Sequence, residues 1–198
     1  MISQDRGAEF RRSDSGTFDP EARFQPDHLE DEVMAQKTLD TLFYDTLKDI
    51  YYAERKILRS LPKMARAAQS ETLKAAFEKH KEQTEGQIER LQQVFEIIGK
   101  APRGKTCEAI DGIIGEGEEI IEEYKDTPAL DAGLLAAAQA VEHYEITRYG
   151  TLKRWAGVLG LDEAVKLLDE TLQEESRTDE DLTAIADAEI NEEALQEA

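Results

Sequence analysis

Glu54, Glu145 and Glu175 stand where the surrounding pattern asks for leucine. Around Glu54 the apolar positions read Leu47, Ile50, Ile57 and Leu61, so its carboxylate falls on the apolar face with hydrophobic neighbours one turn away on either side. The stripe Leu134, Ala138, Val141, Glu145, Arg148, Leu152 places Glu145 inward, with Glu142 at the edge of the same face. Leu168 and Leu172 are followed in phase by Glu175 and Asp179 before Leu182 resumes, and His80 lies on a fourth stripe with Glu82 and Glu85 flanking it at i, i+3. A lone buried carboxylate is costly and needs a partner. Four segments that each bring an acid or imidazole near mid-length to an inner face suggest a common polar cavity. A divalent cation or pair of cations satisfies such a cavity best, since oxygen-rich sites with imidazole suit iron or manganese. For any one of these acids the competing reading is a chance placement, salt-bridged to a cation such as Arg55 or Arg148.

Helices must position these residues. From Thr38 the apolar residues Leu39, Phe43, Leu47, Ile50, Ile57, Leu61 and Met64 recur at steps of three and four, which predicts a first helix to about Ala68, kinked or broken near Leu58 by Pro62. Ser70 caps a second helix with the stripe Leu73, Phe77, His80, Thr84, Ile88, Leu91, Phe95 and Ile98, ended by Gly99. A shorter helix from Thr106 to about Tyr124 is weakened by Gly112, Gly115 and Gly117 and is expected to be a partly independent connector. A third long helix opens at Pro128 and stops at Gly160, and a fourth is capped by Asp162, with Ala164, Val165, Leu168, Leu172, Leu182 and Ile185 inward. The expected fold class is all-α: a four-helix bundle with an additional shorter helix in the crossover between the second and third long helices.

Outside this region the pattern changes. Residues 1–37 mix charges, Gly, two prolines and the isolated Phe10, Phe18 and Phe24 without a period, which reads as a disordered or loosely docked tail. The phenylalanines are candidate anchors for docking on another chain. Residues 38–188 form the bundle domain, and 189–198 an acidic C-terminal tail. Between 162 and 198 there are 14 acids against Lys166 and Arg177, so this stretch carries −12 of the chain's −20. Most of that run reads as a solvated helix face.

Composition removes several classes of function. The 198 residues hold 24 Lys+Arg and 44 Asp+Glu, a balance that repels phosphate backbones and anionic membrane surfaces, with no local basic stripe to offset it. Neither nucleic acid nor membrane is therefore expected as a partner. No apolar run approaches the ~18 residues of a membrane span, and no basic-then-apolar leader opens the chain. The single Cys107 excludes an intramolecular disulfide framework and zinc-finger spacing and fits a reducing compartment, so a cytoplasmic location is expected. Cys107 itself reads as a small core residue. His143, about 160° from Glu145 around its helix, faces away from the cavity, and His28 lies in the tail. Tyr51, Tyr52 and Tyr144 read either as ordinary half-buried tyrosines or as partners of the acids. No nucleophile elbow, phosphate loop or dinucleotide signature is present.

The segments LPKMARAAQSETLKAAFEKH, GQIERLQQVFE and AAQAVEHYEITRYGTL resemble the YciE/YciF family of bacterial stress-associated proteins, a branch of the ferritin-like superfamily also known as a domain of unknown function. The resemblance spans roughly residues 38–188 and leaves out the N-terminal tail. It implies a ferritin-like bundle with a fifth helix, a homodimer, and a di-iron or di-manganese centre. The superfamily's usual ligands are one Glu from each of two helices and a Glu-x-x-His from each of the other two. On this chain Glu54 matches the single Glu of the first helix, and Glu142 or Glu145 that of the third. Glu82 matches in the second helix, but Glu85 stands where a histidine can occur. In the fourth, Glu175 is followed three residues on by Thr178, so Asp179 has to substitute. With no Glu-x-x-His anywhere, the ligand set is nearly all carboxylate and tolerates manganese, magnesium or calcium beside iron.

Two functions are expected on these grounds. One is a metalloprotein in which two iron or manganese ions are oxidised by dioxygen or peroxide, with ferroxidase or peroxide-scavenging activity. The alternative is a non-enzymatic dimeric helical stress-response protein without a competent metal centre, acting through dimerisation, its acidic last helix and its tail.

Overall fold

The computed structural model describes residues 37–195. The expectation of a disordered or loosely docked tail falls on residues outside that range. Four long helices, α1 (Leu39–Ala67), α2 (Glu71–Ile97), α4 (Leu130–Val158) and α5 (Asp162–Ile185), form a bundle, with the shorter α3 (Glu108–Glu123) in the crossover between α2 and α4. The described residues contain no strand. Each long helix buries one stripe, and the stripes meet as a core that includes Phe43, Leu47, Ile50, Phe77, Phe95, Leu134, Leu152 and Leu168.

Short connections make α1–α2 and α4–α5 antiparallel hairpins. Helix α1 packs chiefly on α2 and α4, and α5 on those same two, so α1 and α5 lie across the bundle from each other, as do α2 and α4. Local signals fix the helix ends. Thr38 and Ser70 accept backbone N–H bonds at the N-termini of α1 and α2. The α2 end gains a second acceptor from a distant helix, since the buried Asp131 carboxylate of α4 accepts from the N–H groups of Gln69 and Ser70. Gly99 and Gly160 take the left-handed conformation, φ 66° and 73°, just past the ends of α2 and α4. Helix α5 departs from expectation in detail: Asp162 is its first helical residue, and the cap position is Leu161, which contributes no side-chain bond.

Three expectations change. Helix α1 runs unbroken across Pro62, so of the expected kink or break near Leu58 the break is absent. The proline removes one hydrogen bond of the ladder, and the buried Ile57, Leu61 and Ala65 hold the turns on either side against the core. Helix α3 is no loose connector: Ile110 and Ile114 are buried and it packs on α4 and α1. Its approach to α4 depends on Gly133, where a Cβ would come within 2.7 Å of Ile120 Cγ2. Finally, the last helix does not stop near residue 188. It continues through one turn of π-helix (Ala186–Ile190) and a short α6 (Asn191–Glu193), because Ile190 is buried in the core and Glu189 accepts from the Ser70 hydroxyl.

Candidate metal centre

Three helices change chemistry over the same two turns. On α2 the buried polar residues are His80, Thr84 and Gln87; on α4 Glu142 and Glu145 are followed by the buried Tyr149; on α5 they are Thr171, Glu175 and Thr178. Each set advances by steps of three and four, the spacing that keeps side chains on one face. Helix α1 adds Glu54, framed by Ile50 and Ile57. Glu54, Glu145 and Glu175 are wholly buried, Glu142 is 1% exposed and His80 4% exposed.

Ligand atoms of His80, Glu142, Glu145 and Glu175 all lie within 4.8 Å of one another. Glu54 faces Glu145, and Glu142 faces Glu175, each pair near enough for a protonated member to donate to the other. His80 Nε2 is 3.2 Å from Glu142 Oε1, outside hydrogen-bonding geometry. Few other groups serve the acids. The Tyr149 hydroxyl donates to Glu54 Oε1, and the Gln87 amide donates to Glu175 Oε1. Among the described residues, nine buried side-chain N or O atoms have no hydrogen-bond partner, and eight belong to Glu54, His80, Gln87, Glu142, Glu145 and Glu175. Orphaned buried polar atoms are rare in folded proteins and demand an explanation where they cluster.

Electrostatics reflect the same crowding. Burial, reinforced by the Glu175 charge, pushes the Glu54 carboxyl up to about 8. Burial raises Glu175 to about 7, and raises Glu142 and Glu145 well above the ordinary carboxylate range with help from neighbouring acids. The His80 imidazole is held down at about 4 by burial, so it is neutral and free to coordinate through nitrogen. The Arg90 charge lowers Glu54 and Glu175 somewhat, but its guanidinium is engaged by Thr171, Glu170 and Glu174 at the α2–α5 seam. Without a cation inside, these acids share protons.

The bundle centre thus brings together Glu54, His80, Glu142, Glu145 and Glu175. Glu82, Glu85 and Asp179 stay outside. Glu82 and Glu85 are exposed, with Glu85 near Lys81, because at about 100° per residue they lie roughly 160° and 140° around α2 from His80. Asp179 is half-buried one turn beyond Glu175 and meets His143 and Gln139 at the α4–α5 seam. Gln87 and Tyr149 were missed. Gln87 lies about 20° from His80 on α2, but a stripe read at steps of three and four can pass through Ile88 instead. Tyr149 follows Glu145 by four residues, and that spacing was its only signal. Tyr52 donates to Asp111, Tyr51 accepts from Gln92, and Tyr144 contacts Cys107 Sγ at 3.2 Å, so none of the three serves the acids.

A family profile described as a domain of unknown function, DUF892, matches residues 38–195. Protein YciF of Escherichia coli (strain K12) is 47% identical over 167 residues, which covers 83% of this chain and all of that protein. The crystal structure of the E. coli stress protein YciF superposes with a TM-score of 0.75 at 46% identity, over 78% of this chain and 98% of that one. YcfI of Rhodopseudomonas palustris does so with a TM-score of 0.72 at 47% identity, over 74% and 93%.

Proposed function

The chain belongs to the DUF892 family, is similar to the stress protein YciF, and on that premise we propose that it is a ferritin-like metalloprotein with a two-metal centre at mid-bundle. The observation that carries this reading is the concentration of partnerless buried ligand atoms on Glu54, His80, Glu142, Glu145 and Glu175. The donor set fits two divalent ions. Four carboxylates balance the charge of two such ions, and His80 is neutral. The pairs Glu54/Glu145 and Glu142/Glu175 would each offer carboxylate oxygens close together to such ions. Oxygen donors with one imidazole suit iron or manganese.

When bound, paired iron or manganese supplies one electron per ion to dioxygen or peroxide, which makes ferroxidase or peroxide-scavenging activity the expected chemistry. Glu54, Glu142, Glu145 and Glu175 would hold the ions, and would release their shared protons in doing so. His80 adds a neutral nitrogen donor, Tyr149 orients Glu54, and Gln87 orients Glu175. The reading takes the chain as a homodimer in the cytoplasm, in keeping with its single free thiol. Sedimentation at twice the 22.3 kDa chain mass tests the dimer.

Anaerobic titration with ferrous or manganous ion, followed by elemental analysis, tests the centre. Two ions per chain are expected, with loss of both in the doubly substituted Glu54→Ala, Glu145→Ala protein. Failure of the wild type to take up iron or manganese stoichiometrically overturns the reading in favour of a non-enzymatic role.

A further inference from the structure

Beside the cluster, toward the α1–α2 turn and the N-terminus of α4, lies a cavity of about 30 Å³ walled by Ile57, Leu61, Phe77, Val141 and Leu182. His80 and Glu142 close one end of it. Two hydroxyls also touch it, but both are already used: Ser60 donates to the Lys56 carbonyl and Thr178 to the Glu174 carbonyl. Apart from the cluster end, the cavity is therefore chemically hydrocarbon. A cavity needs roughly 10–15 Å³ on this scale to admit one water, and apolar cavities stay dry and take up apolar guests instead. This one has room for a diatomic molecule, and along its length the only polar groups are the two hydroxyl oxygens, each with its proton already donated elsewhere.

One wall of the cavity is shared with a surface groove. The groove between α2 and α5, lined by Ala75 and Lys79 among others, shares Ala76, Thr178 and Leu182 with the cavity. Ala76 is the smallest side chain on that shared wall, and it is half-buried. Ala76, Thr178 and Leu182 are what separates the groove from the cavity there, and Ala76 is the thinnest part of that wall.

We propose that this cavity is a binding site for dioxygen, delivered from the α2–α5 groove past Ala76 to the His80–Glu142 end of the cluster. The inference rests on the two-metal reading above and names its oxidant. Hydrogen peroxide carries two O–H donors and several lone pairs, and along the apolar walls that lead to the His80–Glu142 end each unmet hydrogen bond costs about 1–3 kcal/mol. Dioxygen forfeits none. In the reaction served, two ferrous ions give one electron each to dioxygen, which takes two protons from solvent and leaves as hydrogen peroxide.

Xenon is the probe, since it is apolar, of similar size and indifferent to metal. Crystals of the full chain under xenon pressure are expected to show xenon between Ile57, Phe77 and Val141, with its loss in Ala76→Leu and in Ala138→Leu, the second filling the cavity from α4. The two variants enter from different helices, and thermal unfolding identifies either one that fails to fold. In the ferrous-loaded protein, both substitutions slow oxidation by dioxygen about tenfold and leave oxidation by peroxide unchanged. Ordered water in place of xenon overturns the proposal, as does dioxygen oxidation indifferent to both substitutions. If no metal binds, the two-metal reading fails by itself, and the xenon result still decides whether the cavity holds an apolar gas.

Discussion

Tyr149 and Glu54 show what a single buried acid requires. The Tyr149 hydroxyl supplies the one hydrogen bond that Glu54 Oε1 receives, and both residues are fully buried. Tyr149→Phe leaves that oxygen without a donor and is expected to lower the stability of the metal-free protein by about 1–3 kcal/mol, read from urea unfolding. The acids also set a pH dependence. Glu54 and Glu175 titrate near 8 and 7 when folded, against an ordinary value of 4.5, so the folded chain holds protons that the unfolded chain has released. Stability from these groups is present in full below about 4.5 and is lost as pH rises through 7 and 8. His80 acts oppositely, but only below its ordinary value of 6.5, because its folded value is near 4. Between pH 6.5 and 8 the acids alone operate, and the metal-free protein is expected to weaken steadily. With manganous ion present the trend should reverse, since the cation takes the place of the protons and binds better as they leave. A metal-free stability that is flat or rising across this window contradicts buried, proton-sharing acids.

At the scale of helices, periodicity makes the fold legible, and it picks out Glu54, His80, Glu142, Glu145 and Glu175 but neither Gln87 nor Tyr149. Glu54, Glu145 and Glu175 were visible because each interrupts an otherwise apolar stripe, and such an interruption is independent of the partner helix. Gln87 was not, because a stripe advancing by three or four residues can pass through either Gln87 or Ile88, and only packing against α5 decides. Glu82 and Glu85 fall outside for a different reason: they flank His80 in sequence and match the superfamily's pattern by residue type, but the helical angle from His80 puts both in solvent. The docking of α3 was hidden too, since its glycines signal weak helix propensity, whereas the close approach is made by Gly133 on the neighbouring helix. That contact gives a prediction for a pair of elements. Gly133→Ala gains about 1 kcal/mol of helix propensity but drives its Cβ to 2.7 Å from Ile120 Cγ2, so in the wild type it should be destabilising. In an Ile120→Ala background the clash is absent and the same change should stabilise. Urea unfolding of the four proteins of this cycle measures the coupling. Equal effects in both backgrounds rule out Ile120 as the reason for the glycine.

For the molecule as a whole, the charge of −20 divides into two populations that answer salt differently. Most acids lie on solvated faces, where ion pairs such as Lys63–Glu118 and Lys79–Asp181 are largely exposed and contribute about 0–1 kcal/mol each. Against those pairs stands the repulsion of a large uncompensated negative excess, which opposes the compact state at long range. Raising sodium chloride from about 0.02 to 0.5 M shortens the screening length from roughly 20 Å to 4 Å and removes the repulsion more thoroughly than the close pairs. The urea midpoint of the metal-free protein is therefore expected to rise with sodium chloride, and a fall would mean that surface ion pairs outweigh the excess charge. The buried carboxylates form the second population. Solvent ions do not reach them, so tight binding of two manganous ions should survive the same salt, while weaker uptake by the acidic surface of α5 disappears. A titration at about 0.02 M salt that shows both phases, and one at about 0.5 M that keeps only the first, separates the few acids placed for chemistry from the many that serve solubility.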